Sequence, residues 1–109
     1  MLVLFDHSTP APLTSYLIGH TVTEARDRGW DRLSNGDLLT EAERAGFDVP
    51  LTADKSIRHQ QNLRGRKIAI VVLSTPRWPV VRLHSERIAA AVSAATPGSY
   101  TEVNIPFKT

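Results

Sequence analysis

Cysteine is absent from the 109 residues, which removes disulfides, thiolate metal sites and cysteine nucleophiles together. A reducing compartment suits such a chain, and a cytoplasmic location is the expectation. No stretch approaches the roughly 20 apolar residues that cross a bilayer, so no membrane partner is expected. The opening Met1-Leu2-Val3-Leu4-Phe5-Asp6 lacks a basic leader and is too short for a signal peptide's apolar core. It reads as a strand. HExxH, paired-histidine spacing and GxSxG are all missing, as are internal repeats, low-complexity tracts and linkers.

What remains is an ordinary globular composition, 41% hydrophobic and 22% charged, of a length that fits one domain over residues 1–109. The formal charge is only +2 and the isoelectric point about 9.4. That balance suits nucleic acid or an acidic partner protein.

Leu2-Val3-Leu4-Phe5 is a continuous apolar run ending at Asp6, the pattern of a strand buried on both faces. Thr9 as N-cap and Pro10 at the first helical position then start a helix carrying Leu13, Tyr16 and Leu17, stopped by Gly19. His20 to Thr23 forms a second strand that reaches Glu24. Gly29 breaks the charged segment from Arg26 to Arg32, and Trp30 anchors it.

Ser34-Asn35-Gly36-Asp37 opens the clearest helix, with Leu38, Leu39, Ala42 and Ala45 as its apolar stripe and Gly46 at its end. Phe47 to Leu51 is a third strand delivering Thr52-Ala53-Asp54-Lys55, followed by a short polar helix over Ser56 to Asn62. Lys67 to Leu73 is the strongest strand, β-branched and apolar. Pro79 to Ala95 has the spacing of one long helix, with Val80, Leu83, Ile88, Ala91 and Val92 on one side. Tyr100 to Ile105 gives a last strand.

This β-α-β-α-β-α-β-α-β order predicts an α/β fold, a central and mostly parallel five-stranded sheet between helical layers. Its ligand crevice should lie at the carboxyl ends of the strands. Asp6, Glu24 and Asp54 end three strands, and Asp37 opens the helix before the third. Carboxylates placed side by side repel unless a cation intervenes, and Mg²⁺ or Mn²⁺ prefers such oxygen ligands.

At these residues the chain resembles the PIN-like nuclease family, in particular its compact toxin-like branch. The resemblance rests on Leu4-Phe5-Asp6-His7-Ser8-Thr9-Pro10, on Asn35-Gly36-Asp37-Leu38-Leu39 with Ala42, and on Leu51-Thr52-Ala53-Asp54-Lys55, in the family's order. It implies the PIN-like three-layer form of that α/β fold. It also implies a metal-dependent endoribonuclease, the toxin half of a type II toxin–antitoxin pair. Asp6, Asp37 and Asp54 take the catalytic and metal positions by that resemblance, with Glu24 as a substitute acid, Mg²⁺ or Mn²⁺ as cofactor, and RNA and a cognate antitoxin protein as partners. A homodimer is compatible with it. The chain departs from the family in having His7 and Ser8 where many relatives carry a second acid, and Lys55-Ser56-Ile57 where many read x-Asp-Phe.

Each residue also has a plainer role. Asp6 and Asp54 could cap the helices that follow, Asp37 suits a helix's first turn in any case, and Glu24 could be a solvated strand-end acid. His7 and His59 are candidate ligands or bases, or surface residues. Arg26, Arg28, Lys55, Arg58, Arg64, Arg66 and Lys67 could contact phosphates or form a solvated surface, and Trp78 reads as a packing anchor. Three function classes follow. One is a metal-dependent endoribonuclease, another a catalytically weak PIN-like module that binds a partner protein, and the third an acidic phosphoryl-accepting pocket like that of receiver domains.

Overall fold

The computed structural model describes residues 1–57 and 66–106. Five strands, β1 (Leu2–Phe5), β2 (Thr21–Glu24), β3 (Val49–Thr52), β4 (Ile70–Leu73) and β5 (Tyr100–Val103), form one sheet in the order β2-β1-β3-β4-β5. Every pairing is parallel. Helices α1 (Asn35–Arg44), α2 (Trp78–Val81) and α3 (Ser85–Ala94) join 3₁₀ turns at Ala11–Tyr16, Ala25–Arg28 and Arg82–His84 on the two faces. The three-layer α/β architecture read from the sequence is the one observed.

Parallel register makes the core. Val3, Phe5, Val49, Leu51, Val71, Leu73 and Val103 point to one face and pack with Leu13, Leu17, Val81, Ile88 and Val92. Their intervening neighbours point the other way: Leu4 meets Leu38, Ala42 and Phe47, while Ile70 and Val72 meet Leu39 and Ile57. Because both faces are covered, the inner strands β1, β3 and β4 are apolar runs without polar alternation.

Two glycines shape the layer that carries α1. Gly46 has φ 87°; its N–H bonds to the Glu43 carbonyl at 3.2 Å, and the Phe47 N–H reaches the Ala42 carbonyl at 3.0 Å. This is a Schellman ending, which needs the left-handed conformation that glycine adopts without strain. Gly29 (φ 74°) and Trp30 repeat it after the turn Ala25–Arg28. The aromatic residues that follow the two glycines pack edge to face, centroids 6.0 Å apart, and the Arg28 guanidinium lies 4.6 Å from the Trp30 ring centre.

Two helical segments differ from the reading of the sequence. Ala11–Tyr16 is a 3₁₀ turn with no side-chain cap, since Pro10 and Pro12 offer no N–H and the Thr9 hydroxyl bonds elsewhere. The helix predicted over Pro79 to Ala95 is broken by the 3₁₀ turn Arg82–His84. That tighter turn shifts the helical phase, so Leu83 is 72% exposed and Val81 is buried in its place.

The strands are also shorter than their apolar runs. Pro50 has no N–H to donate, and the pairing of β3 with β4 begins beyond it, at Leu51 opposite Val71. β4 starts at Ile70 and β5 ends at Val103. Most of the polar helix predicted over Ser56 to Asn62, with Arg58, His59 and Arg64, lies outside the described residues. Among those described, no helix is long and apolar enough to cross a membrane.

Leu39 and Leu83 separate buried from exposed leucine on this scaffold. Leu39→Ala, in a fully buried site, should cost about 2–5 kcal/mol in urea denaturation. Leu83→Ala should stay within about 0.5 kcal/mol of the parent.

Candidate functional site at the carboxyl edge of the sheet

From β1 the chain winds to β2 on one side, and from β3 it winds to β4 and β5 on the other. The direction therefore reverses between β1 and β3, and ligand crevices in open α/β sheets form at the strand ends beside such a reversal. Asp6 follows β1 and Asp54 follows β3, so both carboxylates stand at that point.

Asp6 continues the ladder, its N–H bonding the Leu51 carbonyl at 3.2 Å, and its side chain is only 8% exposed. Burying a carboxylate at that depth requires compensating donors. Oδ1 accepts the Ser8 N–H at 3.1 Å and the Ser8 hydroxyl at 2.7 Å. The Thr9 hydroxyl stands 2.9 Å from the same oxygen and 2.7 Å from the Leu51 carbonyl, its single proton shared between them. The Thr52 hydroxyl donates to Oδ2. Three donors thus crowd Oδ1, and Thr52 is the one that reaches Oδ2 among the described residues.

Asp54 is built on the same local pattern. Its Oδ1 accepts the Ser56 N–H at 3.0 Å and the Ser56 hydroxyl at 2.6 Å, as Asp6 does from Ser8. Aspartate followed two residues later by serine closes an Asx turn at each strand end. Asn35, at the start of α1, donates its amide to Asp54 Oδ2 at 3.2 Å.

Thr52 joins the two acids: it donates to Asp6 and accepts the Asp54 N–H at 3.0 Å. The Ser8 hydroxyl closes the bridge by accepting the Ala53 N–H at 2.9 Å. Donation from the Ser56 hydroxyl, the Asn35 amide and the Ser56 N–H holds the Asp54 carboxyl below its ordinary value, with a small contribution from the nearby His7 charge. Partial burial opposes this less strongly.

On the other side of Asp6 lies a cleft of about 220 Å³, lined among others by His7, Thr9, Glu24, Arg26 and Asp31. Glu24 is paired with Arg26 at 3.4 Å. Asp37, by contrast, is exposed in the first turn of α1, where its N–H caps on Ser34. From that turn it is Asn35 that reaches Asp54. Among the described residues no three of Asp, Glu, His and Cys are grouped to share a metal ion.

The basic residues divide between the edges. Arg26 lines the Asp6 cleft, and Lys55 sits in the middle of the Asp54 turn. The Arg28 guanidinium covers Trp30 and Phe47. Arg66 and Lys67 precede β4, which places them at the amino edge, where Arg66 bonds Thr40 and pairs with Glu43. Trp78 packs on Tyr16 at 5.7 Å, the anchoring role expected for it.

Sequence reasoning about acids missed Asn35, Ser8, Thr9, Thr52, Ser56 and Asp31. The repeated Asp-x-Ser, at Asp6-His7-Ser8 and Asp54-Lys55-Ser56, was the signal available. No family model, curated protein or solved structure matches the chain.

Two predictions test this network. Thr52→Val removes the shared hydroxyl and leaves a buried oxygen of Asp6 short of a donor, which should cost about 1–3 kcal/mol, whereas Thr52→Ser should retain most of the stability. For Asp54, a folded-state pKa below the unfolded one means that ionisation stabilises the fold above the ordinary value of 3.8. That contribution is lost as pH falls through the folded value. The melting-temperature gap between wild type and Asp54→Asn should hold from neutral pH to about pH 5 and close in stronger acid.

Proposed function

We propose that the chain is a PIN-like endoribonuclease dependent on Mg²⁺ or Mn²⁺, the toxin component of a type II toxin–antitoxin pair. The observation that carries this reading is the pair Asp6 and Asp54, carboxylates on adjacent strand ends at the winding reversal, linked through Thr52. The donor chemistry fits a hard cation. The carboxylates of Asp6 and Asp54 and the hydroxyls of Ser8, Thr52 and Ser56 gather oxygen atoms there, and Mg²⁺ ordinarily takes one or two carboxylates and keeps several waters.

Asp54, held ionised and accepting three protein donors among the described residues, would hold the ion directly. Asp6, ringed by donors, would act through a bound water, and Glu24 could reach the ion from the neighbouring cleft. A cation held there lowers the pKa of an attacking water and neutralises charge on the phosphate. The chain's own part is to fix geometry: Asn35 and Ser56 orient Asp54, and Thr52 keeps the two strand ends in register. Arg26 and Lys55 flank the carboxylates and suit the phosphodiester backbone.

A second reading draws on the burial of Asp6. A buried carboxylate that already accepts from Ser8, Thr9 and Thr52 is what a purely structural aspartate would show. This favours a catalytically inactive PIN-like module that binds a partner protein.

Purified wild type and Asp54→Asn, incubated with structured RNA plus Mg²⁺, Mn²⁺ or a chelator, decide between them. The nuclease reading expects cleavage by wild type with metal, none with chelator, and loss of about 10²-fold or more in Asp54→Asn with native circular dichroism. A folded wild type that leaves RNA intact with either metal defeats it and favours the interaction module.

A further inference from the structure

The two helical layers that cover the sheet differ in what they show to solvent. Among the described residues the exposed large apolar side chains are Met1, Leu2, Tyr16, Ile18 and Leu83. Met1 and Leu2 begin the chain at the amino edge of the sheet. The other three belong to the layer made by the turn Ala11–Tyr16, the residues just after it, α2 and α3. The layer of α1 contributes none. A single exposed leucine needs no explanation, but three such residues on one layer and none on the other mark a surface.

Packing forces this exposure. Leu13, Leu17, Val81, Ile88 and Val92 hold the layer against the sheet, so the side chains between them face outward. Ile18, next to buried Leu17, is 88% exposed. Leu83 is outside because the 3₁₀ turn Arg82–His84 leaves Val81 in the core. Pro79 and Leu83 are four residues apart and fall on one side of α2 and its turn, with Trp78 and Arg82 beside them. The Tyr16 ring meets Trp78, centroids 5.7 Å apart. Farther along, His20 Nε2 lies 3.0 Å from the Ser93 hydroxyl, which fastens the stretch after Ile18 to α3.

Charge separates the layers as well. α1 carries Asp37, Glu41 and Glu43 against Arg44. Between Arg77 and Ala95 stand Arg77, Arg82 and Arg87 against Glu86, and the stretch from Ala11 to Gly19 has no charged residue. Arg82 is exposed, and among the described residues no carboxylate pairs with it. Arg87 bonds only a neutral group, the Asn104 carbonyl, and so keeps its charge.

We propose that this layer is a docking surface for an acidic segment of a partner protein, whose apolar side chains cover Leu83 and Tyr16 while its carboxylates meet Arg82 and Arg87. Other occupants fit less well. A second copy docked by the same face would set arginines against their equivalents. Docked through α1, it would bring acids but no exposed large apolar side chain. A single RNA strand leaves Ile18 and Leu83 without a use, and the Tyr16 and Trp78 rings, tilted by 56°, form no parallel slot for a base. The surface takes no part in the acidic pair, so it serves a nuclease and an interaction module alike, and its test is separate from RNA cleavage.

Isotope-labelled protein would be titrated with a synthetic amphipathic peptide of glutamate, leucine and alanine while backbone amide signals are followed. Its lysine-for-glutamate counterpart and an oligouridylate would serve as competitors. The acidic peptide should shift the Tyr16, Ile18, Arg82 and Leu83 signals, bind about tenfold or more tightly than the lysine peptide, and weaken as salt is raised. Leu83→Ser should lose about tenfold in affinity, and Arg82→Glu should reverse the preference between the two peptides. Both positions are exposed, so both variants should keep native circular dichroism. Equal binding of the two peptides, or shifts confined to α1 or to the carboxyl edge, would overturn the proposal. So would displacement of the peptide from these residues by oligouridylate, which would make the surface an RNA site. A wild-type dimer in sedimentation that Leu83→Ser converts to monomer would overturn it in favour of a second copy.

Discussion

A buried carboxylate at the end of the first strand sets the terms for the surrounding structure. Asp6 sits where water cannot fully solvate it, so its ionised form has to be supported by the protein. The support comes from the two residues that follow it in its own turn and from one residue of a strand distant in sequence, Thr52. Once Thr52 is committed to Asp6, its remaining acceptor capacity takes the Asp54 N–H. The Ser8 hydroxyl, committed to the same carboxylate, takes the Ala53 N–H. Two strand ends are thereby locked together by side chains at a level where the ladder itself has ended. Replacing any one hydroxyl would leave a buried acceptor or donor unmatched, and the asymmetry between a made and an unmade hydrogen bond gives the network its weight.

The same constraint explains why one aspartate is buried and the other open. Both close an Asx turn on a serine two residues later, so their local chemistry is equivalent. Asp6 has an inner strand on one side and the covered turn at Thr9 on the other, while Asp54 leads out of β3 toward the surface and meets the Asn35 amide of α1. Donation without deep burial favours the charged form. The Asp54 carboxyl accordingly titrates below its ordinary value, and it is the more open of the two to solvent.

Much of the fold was legible in the chain. Short apolar runs bounded by polar turns gave the strands, and Ser34 with Gly46 bounded α1 because both ends have a stereochemical requirement of their own. The helical stretches without such boundaries were misread. Ala11–Tyr16 contains apolar residues at helical spacing, yet its prolines withhold the donors that a longer helix needs. Over Pro79 to Ala95 a count at 3.6 residues per turn put Leu83 inside, and a single 3₁₀ turn was enough to put it outside. Of the site, the strand-end acids were legible because topology delivers them. Ser8 and Ser56 were marked by the Asp-x-Ser repeat alone, and Thr52 and Asn35 carry no signal until the strands and α1 are placed side by side.

The distribution of positive charge completes the physical case for the carboxyl edge. The chain's slight basic excess is not spread evenly. Arg28 spends its guanidinium on two rings, Arg66 on Thr40 and Glu43, and Arg87 on the chain beyond β5. Each of those three completes a packing contact or pins an element end. At the carboxyl edge, Arg26 and Lys55 stand on opposite sides of the acidic pair, each lining a cleft. Two cations beside two carboxylates make a weak total field but a steep local one.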